Sequence, residues 1–110
     1  MICDPFDIVV VPFPFVDSGL TLRRPALVVS ARDFNKMGRS ILAMITTAEH
    51  ASWPGDVPID WKQSGLPRPG IVRMKMFTLD NRPVERKAGS LSGADRKQVV
   101  ARMWQILPHG

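Results

Sequence analysis

Two prolines, Pro12 and Pro14, cut the longest apolar run of this sequence, Ile8 to Phe15, and limit how it can enter a sheet. Phe6 to Val11 is rich in β-branched residues and reads as a buried strand. Proline brings no backbone donor, so the far end of that strand belongs at a sheet edge or bulge. The run is far short of the ~20 apolar residues that cross a bilayer, so no membrane role is expected. The opening Met-Ile-Cys-Asp-Pro lacks the basic n-region of a secretory signal. A single cysteine, Cys3, excludes an intrachain disulfide framework and fits a reducing, cytoplasmic compartment. With 110 residues, 45% of them apolar and 23% charged, the chain reads as one globular domain over 1–110, not as disorder or coiled coil.

Further strands follow at close spacing. Asp17-Ser18-Gly19 is turn chemistry, and 14–24 reads as a loop with Arg23 and Arg24 at its far end. Pro25 to Ala31 is the second strand, with proline at a first position where its missing donor does no harm. Arg32 to Arg39 is a polar connection, and Ile41 to Thr46 the third strand. Val57 to Asp60 forms a short strand. Ile71 to Leu79 alternates, with Arg73 and Lys75 on the face away from the mostly apolar even positions. Asp80-Asn81 is a hairpin-like turn into Pro83 to Lys87.

Ser92, with Asp95 three residues on, starts a helix in the manner of a capping box. Val99, Val100, Met103, Trp104, Ile106 and Leu107 share one arc of roughly 160° at ~100° per residue. Pro108 and Gly110 end it. Short strands and one terminal helix predict a mainly β fold, a small barrel-like sheet with the helix packed on it.

Lys and Arg number 15 against 10 Asp and Glu, a net charge of +5. Such a balance favours polyanions, nucleic acid first, or serves solubility alone. No phosphate loop, dinucleotide fingerprint, cysteine pair or His-x-x-x-His occurs, so neither a nucleotide cofactor nor a metal is expected. A histidine acid–base pair would require His50 and His109 to meet.

Arg23-Arg24-Pro25 stands out. Pro25 biases Arg24 toward extended backbone, so its guanidinium emerges rigidly, either as a phosphate clamp or as the partner of a nearby carboxylate. Thr46 and Thr47 close the third strand, as caps or as phosphate-orienting hydroxyls. Arg73 and Lys75 could line a groove or a solvated face. Trp53 and Trp61 could stack a base or anchor loops.

These residues carry a resemblance. Asp7 to Val11, Pro12-Phe13-Pro14-Phe15, Arg23-Arg24-Pro25 to Ser30 and Ile45-Thr46 look like the MazF/PemK family of toxin–antitoxin toxins. The likeness continues through Asp60-Trp61, Ser64-Gly65-Leu66-Pro67, Val72 to Lys75, Phe77 to Asp80 and Gly89 to Ser92. It implies an SH3-like (CcdB/PemK-like) β-barrel with a terminal helix, a homodimer, and a metal-independent endoribonuclease that cuts single-stranded RNA. It further implies inhibition by a cognate antitoxin with an acidic, flexible segment. By position, Arg24 and Thr46 match the family's catalytic pair. The RNA-binding set expected here is Asp17, Ser18, Arg23, Thr47, Arg73 and Lys75. The family usually opens its first strand with Gly-Asp, where this chain has Phe6-Asp7, and often has serine where Gly70 follows Pro69.

Cleaving RNA through its own 2′-hydroxyl requires deprotonation of that hydroxyl, charge stabilisation on the phosphorane and protonation of the leaving 5′-oxygen. Arginine suits the second task and, with a pKa above ~12, not the first. Two other classes remain open. CcdB-type toxins share the barrel but bind DNA gyrase without cutting RNA, and a nucleic-acid-binding module would bind RNA without cleaving it.

Overall fold

The computed structural model describes residues 1–13, 22–47 and 52–109. In chain order these form β1 (Asp7–Phe13), β2 (Leu22–Val28), α1 (Arg32–Asn35), β3 (Arg39–Thr47), β4 (Val57–Ile59), β5 (Gly70–Asp80), β6 (Arg86–Ser90) and α2 (Gly93–Ile106). The strands make one curled, half-barrel sheet in the order β4-β5-β3-β2-β1-β6, with every described pairing antiparallel.

Alternation sorts the apolar side chains onto two faces. On one, Ile8, Leu27, Ala43, Ile45 and Val72 pack with Val99 of α2. On the other, Val9, Val11, Ala26, Val28 and Leu42 pack with Cys3 and Val84. Burial, and next the Asp7 carboxylate, push the Cys3 thiol above its ordinary pKa.

The first strand runs through Pro12, which lies opposite Arg23. The β1–β6 ladder has already ended at Val10 and Arg86, so the missing donor falls where β1 has only β2 beside it. That is the edge position the proline demanded. The second strand begins three residues earlier than expected. Arg23 and Arg24 are therefore inside β2, opposite Pro12 and Val11, and not at the end of a loop. Pro25 is tolerated because the β2–β3 ladder starts only at Ala26.

Asp80-Asn81 does not make a hairpin. The chain instead crosses the sheet, and β6 pairs with β1. The Asn81 carbonyl accepts from Ser40 Oγ at 2.7 Å and its amide donates to Asn35 O at 2.7 Å. Asn35 in turn donates to Cys3 O and accepts from Ser30 Oγ. These buried partners hold the segment away from β5. The connection expected over 32–39 contains the single turn α1, which supplies Asn35 to this network.

The two sheet edges approach each other through backbone. A Cβ on Gly89 of β6 would lie 2.1 Å from Ser64 O, and one on Gly65 (φ +80°) would lie 2.4 Å from Ala88 O. The turn after β4 thus seats directly on β6, and only glycine permits that approach.

In α2, Ser92 Oγ accepts from Asp95 N at 3.2 Å. The Asp95 carboxylate does not return to Ser92 but accepts from Asp60 N at 2.6 Å, tying the helix to the turn after β4. Only part of the expected apolar arc is covered. Val99 is fully buried and Met103 half-buried, whereas Val100, Trp104, Ile106 and Leu107 are exposed. The helix thus buries one side of the arc and leaves the other exposed. Among the described residues, no helix is long and apolar enough to cross a membrane.

Candidate active-site cleft

Where β2 and β3 part company, a cleft of about 230 Å³ opens. Arg24 and Pro25 of β2, Ile45, Thr46 and Thr47 of β3, and the 66–70 segment line it. The β2–β3 register sets Ala26 opposite Met44 and Leu27 opposite Ala43. Extended by two residues, the same register brings Arg24 across from Thr46, on one face of the sheet. Hydrogen-bonded pairing stops at Ala26, so a gap is left between the two positions. Arg24 is exposed, and among the described residues it has no ion pair or hydrogen bond. Thr47 also lines the cleft, from the opposite face of β3.

The floor is apolar. A Cβ on Gly70 would come within 3.2 Å of Ile45 Cγ2 and 3.3 Å of Leu66 Cδ1, so a serine here would have to push two side chains aside. Leu66 is buried, and its N–H is held by Trp61 O at 2.9 Å. Gly70 is paired with both Thr47 and Ile59. Between these anchors lies Pro67-Arg68-Pro69, whose arginine is exposed and lines the cleft. Arg68 is not among the residues expected from the sequence. The signal was present in the two flanking prolines, which fix a side chain's point of departure.

Other expected residues lie elsewhere. Arg23 falls on the face of β2 opposite Arg24 and is ion-paired with Glu85 at 2.5 Å, away from the cleft. Asp17, Ser18 and His50 lie outside the described residues. His109 stacks on Trp104 with ring centroids 4.1 Å apart, at the end of α2. It does not line the cleft, so it offers no acid–base group there.

Arg73 and Lys75 do not form one exposed row. A bulge in β5 follows Arg73, since Met44 faces Arg73 while Ala43 faces Met76, and this inserts Met74 and Lys75. Arg73 is buried. It donates from Nε to Asp56 Oδ1 at 3.2 Å and from Nη2 to Asp56 Oδ2 at 3.0 Å. The pairing follows from register, because Val57 lies opposite Val72 and Asp56 is one step further. Burial pushes the Asp56 carboxyl up, but hydrogen bonds from Arg73 and from Trp53 N–H outweigh it and hold the pKa below the ordinary value. Trp53, half-exposed, carries the Arg73 guanidinium 4.9 Å and the Lys75 ammonium 5.9 Å from its ring centre. Trp61 is a partly buried anchor against the core. Arg73 lies on the same face as Thr46, two residues along the sheet. Among the described residues, no three His, Cys, Asp or Glu side chains gather as metal ligands would.

Comparison with known proteins bears on the fold and the family. The family model for the PemK-like, MazF-like toxin of type II toxin–antitoxin systems matches residues 4–107. Similar solved structures include MazE-MazF (Form-III) from Deinococcus radiodurans, at TM-score 0.78 and 19% identity over 96% of each chain. A mycobacterial endoribonuclease in complex with its cognate antitoxin aligns at TM-score 0.77 and 14% identity, over 98% of this chain and 99% of that one. The Mycobacterium tuberculosis toxin MazF-mt6 aligns at TM-score 0.73 and 19% identity, over 90% and 93%. Among curated proteins, no sequence matches this chain.

Proposed function

Since the chain belongs to the PemK/MazF toxin family, we propose that it is a growth-inhibiting toxin acting as a single-strand-specific, metal-independent endoribonuclease. The observation that carries this reading is the shared cleft of Arg24 and Thr46, with the guanidinium unpaired among the described residues.

The substrate's 2′-hydroxyl attacks the adjacent phosphorus. The bond to the 5′-oxygen breaks, leaving a 2′,3′-cyclic phosphate and a 5′-hydroxyl. Arg24 stabilises the charge that gathers on the non-bridging oxygens, because its fork reaches two of them and stays protonated throughout. Thr46 donates a hydrogen bond to a non-bridging oxygen and fixes the phosphate for in-line attack. Thr47, and Lys75 with Trp53, extend the contact surface for the strand, while the buried Arg73, held by Asp56, carries Trp53 from beneath. Residues Asp17, Ser18 and Arg23 belong to the family's groove-bordering segment. The Arg23–Glu85 ion pair would have to open before Arg23 touched RNA.

A cognate antitoxin with an acidic, flexible segment would compete for the same cations, and the working unit would be a homodimer. Purified protein should cut single-stranded RNA with EDTA present, and Arg24→Ala should lose most of that activity while keeping its thermal midpoint. Cleavage abolished by EDTA, or unchanged in Arg24→Ala, would sink this reading. The exposed apolar side of α2 favours a second one, a CcdB-like gyrase inhibitor. Inhibition of DNA supercoiling without RNA fragments would support it.

A further inference from the structure

We propose that Arg68 is a second phosphate-holding residue of the cleft, gripping the RNA strand from the 66–70 segment while Arg24 grips it from β2. The proposal rests on the endoribonuclease reading and deepens it.

Four observations carry it. Arg68 lines the same cleft as Arg24 and Thr46. It is exposed, and among the described residues it has no ion pair or hydrogen bond. Its backbone is restrained on both sides: Pro69 disfavours helical backbone at Arg68, and Pro67 has its own φ fixed. The segment is also pinned at its ends, by buried Leu66 and by Gly70, which pairs with β3 and β4.

A long cationic side chain ordinarily loses rotamer and backbone freedom when it binds. Here the backbone part is already restricted, so less is lost on contact. The rest of the segment is apolar, with Pro67, Pro69 and Leu66 offering no hydrogen-bonding side chain. A guanidinium in that setting matches a phosphodiester flanked by a sugar or base face, and it suits a polyanionic strand better than a small neutral ligand. Two guanidinium groups from two walls also give the strand a direction, which one cation cannot.

Arg68 thus acts by binding and positioning, in the ground state and transition state alike, so its removal should raise KM with little change in kcat. The test uses the full chain and a mixed-sequence single-stranded 2′-O-methyl RNA, which lacks the attacking hydroxyl. Its binding is followed by fluorescence anisotropy from about 50 to about 200 mM salt. Arg68→Ala should weaken binding about 10-fold at low salt, the loss of one charge-assisted contact. It should also lower the slope of log affinity against log salt by about 0.7, the release expected for one single-strand phosphate. Arg68→Lys should keep the slope, and Lys97→Ala on α2, which removes a charge that does not line the cleft, should change neither.

An unchanged slope in Arg68→Ala, with folding intact, overturns the proposal and leaves the endoribonuclease reading standing if Arg24→Ala is inactive. A fall in kcat at constant KM overturns it too, since Arg68 would then act only in the transition state. Conversely, a reduced slope in Arg68→Ala with full cleavage by Arg24→Ala would support Arg68 and remove Arg24 from the chemistry. Wild-type protein that neither binds nor cuts RNA overturns both.

Discussion

Arg24 of β2 and Thr46 of β3 line one cleft, each two residues beyond Ala26 and Met44, the last pair of the β2–β3 ladder. The strands that carry them are tightly packed up to that pair and open after it. The rigid core therefore sets the spacing of two polar groups at the mouth of a gap. Both would act on the same phosphate, so their losses should not add. Arg24→Ala is expected to cost about 10²- to 10³-fold in cleavage, and Thr46→Ala less. The double variant should fall close to Arg24→Ala alone, as residues that act as a unit do. Single-turnover rates on one labelled RNA decide this. Strict multiplication of the two losses would mean that they serve separate steps.

Closure of the half-barrel depends on the backbone contact between Gly89 and Ser64. Because a Cβ at Gly89 would meet a carbonyl oxygen, not a flexible side-chain end, the strand or the turn must move to admit it. Gly89→Ala should destabilise by about 1–3 kcal/mol, the range for overpacking a close-packed site. Gly93→Ala, where nothing lies within 4 Å of the added carbon, serves as the control. Denaturant midpoints compare the two. Equal midpoints would show that the edges do not meet.

Much of this arrangement could be read from the chain itself. Apolar and β-branched runs marked β1 to β3, alternation marked β5, and Ser92 marked the helix start, because those signals depend on near neighbours. The edge position of Pro12 followed from its missing donor. What escaped reading depended on partners far along the chain. Arg73 looks like a groove cation until the β4–β5 register sets Asp56 opposite it. Asp80-Asn81 looks like a hairpin until Ser40 and Asn35 claim the asparagine. The α2 arc is apolar over more width than the sheet covers, and nothing in its periodicity tells a core contact from an exposed one. Arg68 escaped because its place beside Arg24 and Thr46 depends on where the 66–70 segment crosses the β2–β3 gap.

The Asp56–Arg73 pair makes stability depend on pH in a stated direction. The Asp56 carboxyl is held below its ordinary value in the folded chain. Its contribution is thus fully present above the unfolded value of about 3.9 and is lost as pH falls through the lower folded value. Both side chains are nearly buried, at 11% and 9% exposure, so removing one partner leaves a desolvated charge. Asp56→Asn should cost about 3 kcal/mol at neutral pH. The gap between variant and wild type should narrow as pH falls from about 3.9 toward the lower folded value, because the unfolded carboxyl takes up its proton first. Urea titrations at both pH values test it, and a gap that stays constant would show that the pair contributes no linkage.

Phe6 holds the conformation that glycine favours. Its φ is +68°, in the left-handed region, just before Asp7 opens β1. Backbone bonds fix it there: Phe6 N–H donates to Val28 O at 2.7 Å, and Phe6 O accepts from Leu91 N at 3.1 Å. A side chain at that φ costs roughly 1–2 kcal/mol. The ring offsets the strain by packing on the core and under the Arg96 guanidinium, 4.8 Å from its centre. Truncation therefore has an unusual signature. Phe6→Ala loses the ring and keeps the strain, whereas Phe6→Gly loses both. Phe6→Gly should be the more stable variant by about 1 kcal/mol, the reverse of the usual order of alanine and glycine. Thermal midpoints of the two variants settle the sign. Alanine above glycine would mean that the turn relaxes out of the left-handed region once the ring is gone.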